Sequence, residues 1–251
     1  MNDKHRVYGR AVQINTENTR AFYDNRAKRI AEMSNPYVSV LLGDQNTSHA
    51  EQWNIFEKSY ILPELKLESD SRVLDIGCGI GRWAESVIPM CEYYCGTDFS
   101  AGMVQVAKER INFTGKEYSF HNLSFQELVH GDAAGFHGQF NRLIIGGVCM
   151  YINDKELPKC YEGLLPLLDK KCIMYLTETV AVKERLTLDE CPSEALKATY
   201  DVIYRTPAEY NKYYEIFIKA GFSIVKQDFL PHLNNEKQFS ETDRWYTILQ
   251  R

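Results

Sequence analysis

From Ser71 onward the chain alternates short apolar runs with segments of helical period, and this rhythm constrains the fold more than any other feature. RVLDI, EYYCGTD, YSFHNL, FNRLIIGG and KCIMYLTE read as strands. Helical patterns separate them: one over about 80–88, one capped by Ser100 and carrying Met103, Val106 and Ile111, and one around KELPKCYEGLLPLL. A further helix opens at Pro207, a favoured first-turn residue, and stops at Gly221. FSIVKQDF and RWYTILQ then follow with no helix between them, so the last strand is expected to return antiparallel. Strands alternating with helices predict an open, mostly parallel α/β sheet of about seven strands, covered by helices on both faces.

The first 70 residues have a different texture. Residues 15–33 look helical, and a second helix opens at Ser48, where Ser48 and Glu51 have capping-box spacing. This strand-poor segment is expected to form a helical cap or lid (1–70) on a sheet domain over 71–251. A polar stretch at 181–205 breaks the rhythm and is expected to be a cap insertion or a homodimer contact.

Bulk properties remove several function classes. A net charge of −5 provides no field for nucleic acid or an anionic bilayer. No apolar run approaches the roughly 20 residues of a membrane span, and the polar start MNDKHRVYGR lacks a signal-peptide core. A soluble, cytoplasmic protein is expected. The seven cysteines are odd in number and include no C-x-x-C, so reduced thiols are expected. No histidine clusters with cysteine or carboxylate at metal-ligand spacing, and no metal is predicted.

The chemistry concentrates in VLDIGCGIGRWA, residues 73–84, where a strand delivers the chain to a helix. Ligands of open α/β sheets bind outside such strand ends. The dinucleotide fingerprint G-x-G-x-x-G would need glycine at Arg82, and no Walker A pattern is present. Asp75, two residues before Gly77, would repel a phosphate and attract a ligand bearing an ammonium and a sulfonium. S-adenosylmethionine is such a ligand, and the glycine-turn amides would receive its carboxylate. Asp98 closes the second strand, where an acid can accept both ribose hydroxyls. Phe99 is placed to pack on adenine, with Ser124 and the Phe125 N–H near the adenine edge. The plainer readings are a turn-capping Asp75, a helix-start Asp98, a core Met103 and a close-packing Gly146.

VLDIGCGIGRWA, YYCGTDFS, SFQEL and FNRLIIGGVCMYIND together resemble motifs one to four of class I S-adenosylmethionine-dependent methyltransferases, over roughly residues 70–251. The resemblance implies a cofactor set of Asp75, Gly77, Cys78, Gly79, Gly81, Arg82, Asp98, Phe99, Ser100, Met103, Ser124, Phe125, Gln126 and Gly146. It implies S-adenosyl-L-homocysteine as product. Two positions depart from the family: Ser124 replaces a frequent acid, and Phe140-Asn141 replaces Phe-Asp. In similar enzymes a helical N-terminus folds over the cofactor, which places Tyr23 and Arg26 on its methionine end and Tyr37 on the acceptor.

The acceptor is expected over the ends of the fourth and fifth strands. Candidate contacts are Met150, Tyr204 and Arg205, and candidate catalytic groups are Tyr151, Glu178 and His232, the last as general base. His121 lies in a strand and reads as structural, as do His130 and His137 in the loop HGDAAGFHG. No D-P-P-Y or N-P-P-Y follows the fourth strand, which argues against nucleobase amines. FYDNRAKR and YRTPAEY resemble enzymes of natural-product and surface-polysaccharide pathways. The favoured acceptor is therefore a small polar molecule: a sugar, a nucleotide-linked sugar or an amino-acid-derived metabolite, methylated on a hydroxyl or amine. The alternatives are a protein or RNA acceptor gripped by the N-terminal segment, and a non-catalytic cofactor-binding scaffold.

Overall fold

The computed structural model describes residues 5–41, 47–131, 140–193, 198–233 and 240–251. Its centre is a seven-stranded sheet built from Arg72–Ile76 (β2), Tyr93–Asp98 (β3), Glu117–Asn122 (β4), Phe140–Gly146 (β5), Leu168–Ala181 (β6), Ser223–Phe229 (β9) and Thr242–Gln250 (β10). The strand order is β4-β3-β2-β5-β6-β10-β9. The first five are parallel, whereas β10 runs antiparallel to both β6 and β9. The expected sheet and its reversed last strand are therefore present.

Alternate residues of the central strands feed two cores, as the period of two requires. Leu74, Ile76, Leu143, Ile145 and Met174 face one side. There they meet helices Phe125–His130 (α6), Leu157–Leu164 (α7) and Pro207–Lys219 (α8) through Phe125, Tyr161, Tyr214 and Phe217. Val73, Tyr94, Ile144 and Tyr175 face the other side. Against them lie Thr47–Leu65 (α3), the single turn Ala84–Val87 (α4) and Ala101–Arg110 (α5). Ser100 caps α5 by accepting the Met103 N–H, as the sequence suggested. The helix expected over 80–88 is reduced to α4 plus a 3-10 turn at Ile88–Met90, because Pro89 removes a donor.

One regional expectation needs correcting, and a second region takes a definite form. Helix α3 does not sit above the sheet with the rest of the N-terminal segment: Ile61 and Leu65 are fully buried in a sheet-face core, so α3 is a layer of the main fold. The 181–205 stretch, expected as a cap insertion or a homodimer contact, contains two strands. Leu186–Ser193 (β7) and Ala198–Tyr204 (β8) pair antiparallel, and Arg6–Tyr8 (β1) adds to β7, giving a separate three-stranded sheet. Leu186, Val202 and Ile203 are buried, the signature of a strand pair whose alternation is diluted by Thr187, Asp189 and Asp201. What remains over the cofactor side is Thr16–Lys28 (α1), which packs on α5 and β8, and the short Val38–Leu41 (α2).

Candidate active site

The strand order jumps outward from β2 to both sides, and the glycine turn sits at that switch point. Gly77 and Gly79 take φ of +73° and +54°, in the left-handed region. A Cβ on Gly77 would lie 2.2 Å from Val148 Cγ2, and one on Gly79 2.9 Å from Val40 Cγ1. Only glycine lets the turn pass that close to its neighbours. Its amides are already committed, however. Gly77 and Cys78 donate to the Thr97 carbonyl at 2.8 and 2.9 Å, and Gly79 donates to Asp98 Oδ2 at 2.9 Å. The turn is thus stitched to the end of β3, which corrects the expectation that these N–H groups await a ligand carboxylate.

Three adjoining cavities open here. The first, about 270 Å³, is lined by Gly77, Gly79, Asp98, Phe99, Met103, Ser124, Phe125, Gln126, Gly146 and Tyr23. Thr16, Arg20 and Tyr23 contribute one face of α1 to it. The second, about 110 Å³, is lined by Asp75, Cys78, Arg82, Gly146, Met150, Tyr151 and Glu178, with Glu57, Trp83 and Arg244. The third, about 360 Å³, is lined by Met150, Tyr204 and His232, with Arg6, His49, Trp53, Tyr200, Glu241 and Asp243. Gly77, Gly79, Gly146, Tyr23 and Tyr151 border both the first and the second. Leu41, Met150, Thr179 and Arg244 border both the second and the third.

Buried carboxylates mark the first two cavities. Burial lifts the Asp98 carboxyl to about 6, against the Ser100 and Gly79 N–H groups that favour its ionised form. Burial lifts Asp75 to about 7, opposed by the Tyr94 hydroxyl that donates to it. Neither acid has an ion-pair partner among the described residues, so a cationic ligand would relieve both. Glu57 differs. Burial would raise it, but Arg82 and Arg244 beside it hold it below its ordinary value, and Arg82 pairs with it at 2.8 Å.

Several sequence-nominated residues are held elsewhere. Gly81 lines no cavity; its missing side chain makes room for Ile111 and Ala107. Ser100 caps α5 and donates its hydroxyl to Asp24. Arg26 is buried beneath α2, donating to the Val38 and Ser39 carbonyls, and reaches none of the three cavities. Tyr37 donates to Glu85, under Lys58 and Arg110, away from the acceptor side. Arg205 is fully buried and ties Asp154 to the Cys149 and Ile152 carbonyls. None of these residues lines the three cavities described above.

The three catalytic candidates separate clearly. Glu178 spends its carboxylate on the Val148, Cys149 and Met150 N–H groups at 3.2, 2.8 and 3.2 Å. It caps the turn Cys149–Tyr151, and burial lifts its carboxyl to about 7 despite those donors. Tyr151 sits in a chain of phenols, 2.9 Å from Tyr23 Oη and 2.5 Å from Tyr200 Oη. Burial and these neighbours push its pKa far up, so it is no base. His232 borders the third cavity, with Nε2 2.9 Å from Asp243 Oδ2. With Nε2 as donor to that carboxylate, Nδ1 carries the ring's lone pair. His121 bonds Ser119 within β4, His130 ends α6, and His137 lies outside the described residues.

Sequence reasoning missed Trp53, His49 and Arg244, which border the third cavity, and Gly147 and Val148 after β5. Only Gly147 carried a local signal, as the second glycine of LIIGG.

Comparison with known proteins agrees with this geometry. Residues 73–171 match the methyltransferase domain family. A probable cobalt-precorrin-6B C(15)-methyltransferase of Methanocaldococcus jannaschii is 25% identical over 48% of this chain and 58% of its own length. The chain therefore spans less than two thirds of that relative. A demethylmenaquinone methyltransferase of Staphylococcus saprophyticus is 24% identical over 86% of this chain and 91% of its own. The structure of magnesium protoporphyrin IX methyltransferase from Synechocystis PCC 6803, with bound S-adenosylmethionine, superposes with a TM-score of 0.61. It is 17% identical and covers 96% of this chain and 99% of its own, a likeness of fold.

Proposed function

We propose that this chain, whose residues 73–171 match a methyltransferase domain, transfers a methyl group from S-adenosylmethionine to a hydroxyl or amine of a small polar acceptor held in the third cavity. The observation that carries this reading is the continuity of the three cavities through shared walls at Gly146, Tyr151 and Met150. When bound, S-adenosylmethionine supplies an electrophilic methyl group on a sulfonium. Asp98 would hold the ribose hydroxyls, with Phe99 and Met103 against adenine and Ser124 to Gln126 along its edge. Asp75, Gly77 and Gly146 would receive the methionine end, where the buried Asp75 carboxyl favours its cationic groups.

The remaining work belongs to the chain's own side chains. Glu178 fixes the Cys149–Tyr151 turn, and so sets Met150 at the boundary between donor and acceptor cavities. The Tyr23–Tyr151–Tyr200 chain ties α1 to β8 beside the first two cavities, which Tyr23 and Tyr151 both line. His232, oriented by Asp243, would take the proton that a hydroxyl loses as it attacks, or that an ammonium must lose before its nitrogen can attack. A small acceptor is favoured over a protein or RNA chain because the third cavity is bounded by α3, the β7–β8 sheet and the β10 segment.

Calorimetry with S-adenosylmethionine and S-adenosylhomocysteine tests the cofactor assignment, and absence of binding at millimolar concentration would sink it. Turnover on a panel of sugars, nucleotide-linked sugars and amino-acid-derived metabolites, read as the mass gain of one methyl, tests the acceptor class. Methylation of protein or RNA with none of the panel would overturn it.

A further inference from the structure

Among the described residues, the acidic and arginine side chains that line the third cavity are hydrogen-bonded, with one exception. Glu241 is matched by Arg6 at 2.5 Å and by the Tyr8 hydroxyl at 2.8 Å. Asp243 accepts a hydrogen bond from His232 Nε2 at 2.9 Å. In the adjoining wall of the second cavity, Arg82 is matched by Glu57. Arg244 is different. Its guanidinium has no hydrogen-bond or ion-pair partner among the described residues, and it stacks 4.4 Å from the Trp53 ring centroid. Trp53 in turn stacks with His49, 6.5 Å away and 20° from parallel.

The position of Arg244 is equally specific. It lies on β10 opposite Thr179 of β6, at the end of the sheet where the parallel strands terminate. Both residues border the second and third cavities, so Arg244 stands where an acceptor would meet the methyl donor. Stacking on Trp53 holds the planar fork without using its N–H donors, which leaves them for a ligand. Burial chiefly, and Arg82 beside it, disfavour the charge on Arg244, while Glu57, Tyr175 and Asp243 support it.

From this arrangement we propose that Arg244 is a specificity residue: it selects acceptors that carry a carboxylate or phosphate group, held by the guanidinium above the Trp53–His49 wall. The assignment rests on the reading of the third cavity as the acceptor site. A planar guanidinium offers two parallel donors to either oxyanion, so the recognised chemistry is shared by a uronic acid, an amino acid and a sugar phosphate. A neutral sugar would leave the guanidinium unpaired and is disfavoured.

The test is calorimetry on the full chain, with and without saturating S-adenosylhomocysteine, using inorganic phosphate, glucuronate and neutral glucose as probes. Wild type is expected to bind at least one of the anions more tightly than glucose, and the phosphate and glucuronate arms distinguish the two sources of charge. Arg244→Gln is expected to weaken anion binding about tenfold or more, the loss of a charge-assisted bidentate contact. Arg244→Lys, which keeps the charge but not the fork, should fall between. S-adenosylhomocysteine affinity should hold in both variants, which also reports that they fold. The proposal is overturned if wild type binds neither anion, if glucose binds as well as glucuronate, or if Arg244→Gln leaves anion affinity unchanged. It is likewise overturned if Arg244→Gln lowers S-adenosylhomocysteine affinity instead, which would assign the guanidinium to the cofactor's carboxylate. Loss of S-adenosylhomocysteine binding in wild type would fail the methyltransferase reading, whereas anion binding in its absence is scored separately.

Discussion

The Asp98 carboxylate accepts the Gly79 N–H at 2.9 Å, so the acid ending one strand braces the glycine turn that ends its neighbour. One oxygen serves the turn and the other the Ser100 N–H, and the group still borders the first cavity. Asp98→Ala removes both the brace and the ribose acceptor. S-adenosylhomocysteine affinity is expected to fall at least tenfold, about 1.4 kcal/mol, by calorimetry. Wild-type affinity in that variant would contradict the ribose assignment.

The buried acids also set a pH dependence of stability. Burial raises Asp98 from 3.8 to about 6, Asp75 from 3.8 to about 7, and Glu178 from 4.5 to about 7. Between the ordinary and raised values the folded protein holds protons that the unfolded chain has released. The stability of the ligand-free protein is therefore expected to decline as pH rises through that window, to about 7. Denaturant melts at a series of pH values check the slope. A rise over the same interval would mean that these acids are not buried unpaired.

Gly77→Ala places a Cβ where Val148 Cγ2 stands 2.2 Å away, on a backbone with φ of +73°. Strain and collision act together, with an expected cost of about 2–4 kcal/mol. Urea unfolding measures it. A variant as stable as wild type that still bound S-adenosylhomocysteine would show that the turn can relax.

Tyr151→Phe takes the middle hydroxyl from the Tyr23–Tyr151–Tyr200 chain and costs the half-buried Tyr23 and the buried Tyr200 one hydrogen bond each. The expected cost is about 1–3 kcal/mol of stability. Turnover should fall less than about tenfold, since the hydroxyl is no base. A collapse of kcat with unchanged stability would restore a catalytic role.

His232→Gln tests the proton acceptor of the third cavity. With an acceptor identified from the metabolite panel, turnover is expected to drop about a hundredfold while S-adenosylhomocysteine affinity holds. Asp243→Asn should act through the same histidine and give a smaller drop. If His232→Gln retained full turnover, His232 would be a wall residue.

Local periodicity and turn chemistry by themselves specified the sheet, its reversed last strand, the Ser100 cap and the glycine turn beside Asp75 and Asp98. Each of those rests on residues within a few positions of one another, and for such features strand period, capping and glycine conformation act at short range. Tertiary structure decided the rest. Arg26, Tyr37 and Arg205 carried the right chemistry for a site, but packing sent them beneath α2, to Glu85 and to Asp154. Arg244 and Trp53 lie 191 positions apart in sequence and meet at 4.4 Å because β10 pairs with β6 while α3 covers the same sheet face. The walls of the first cavity were legible because they follow the strand ends in order. Those of the third were not, because they are assembled from α3, the β7–β8 sheet and β10, whose meeting depends on long-range burial that no local pattern encodes.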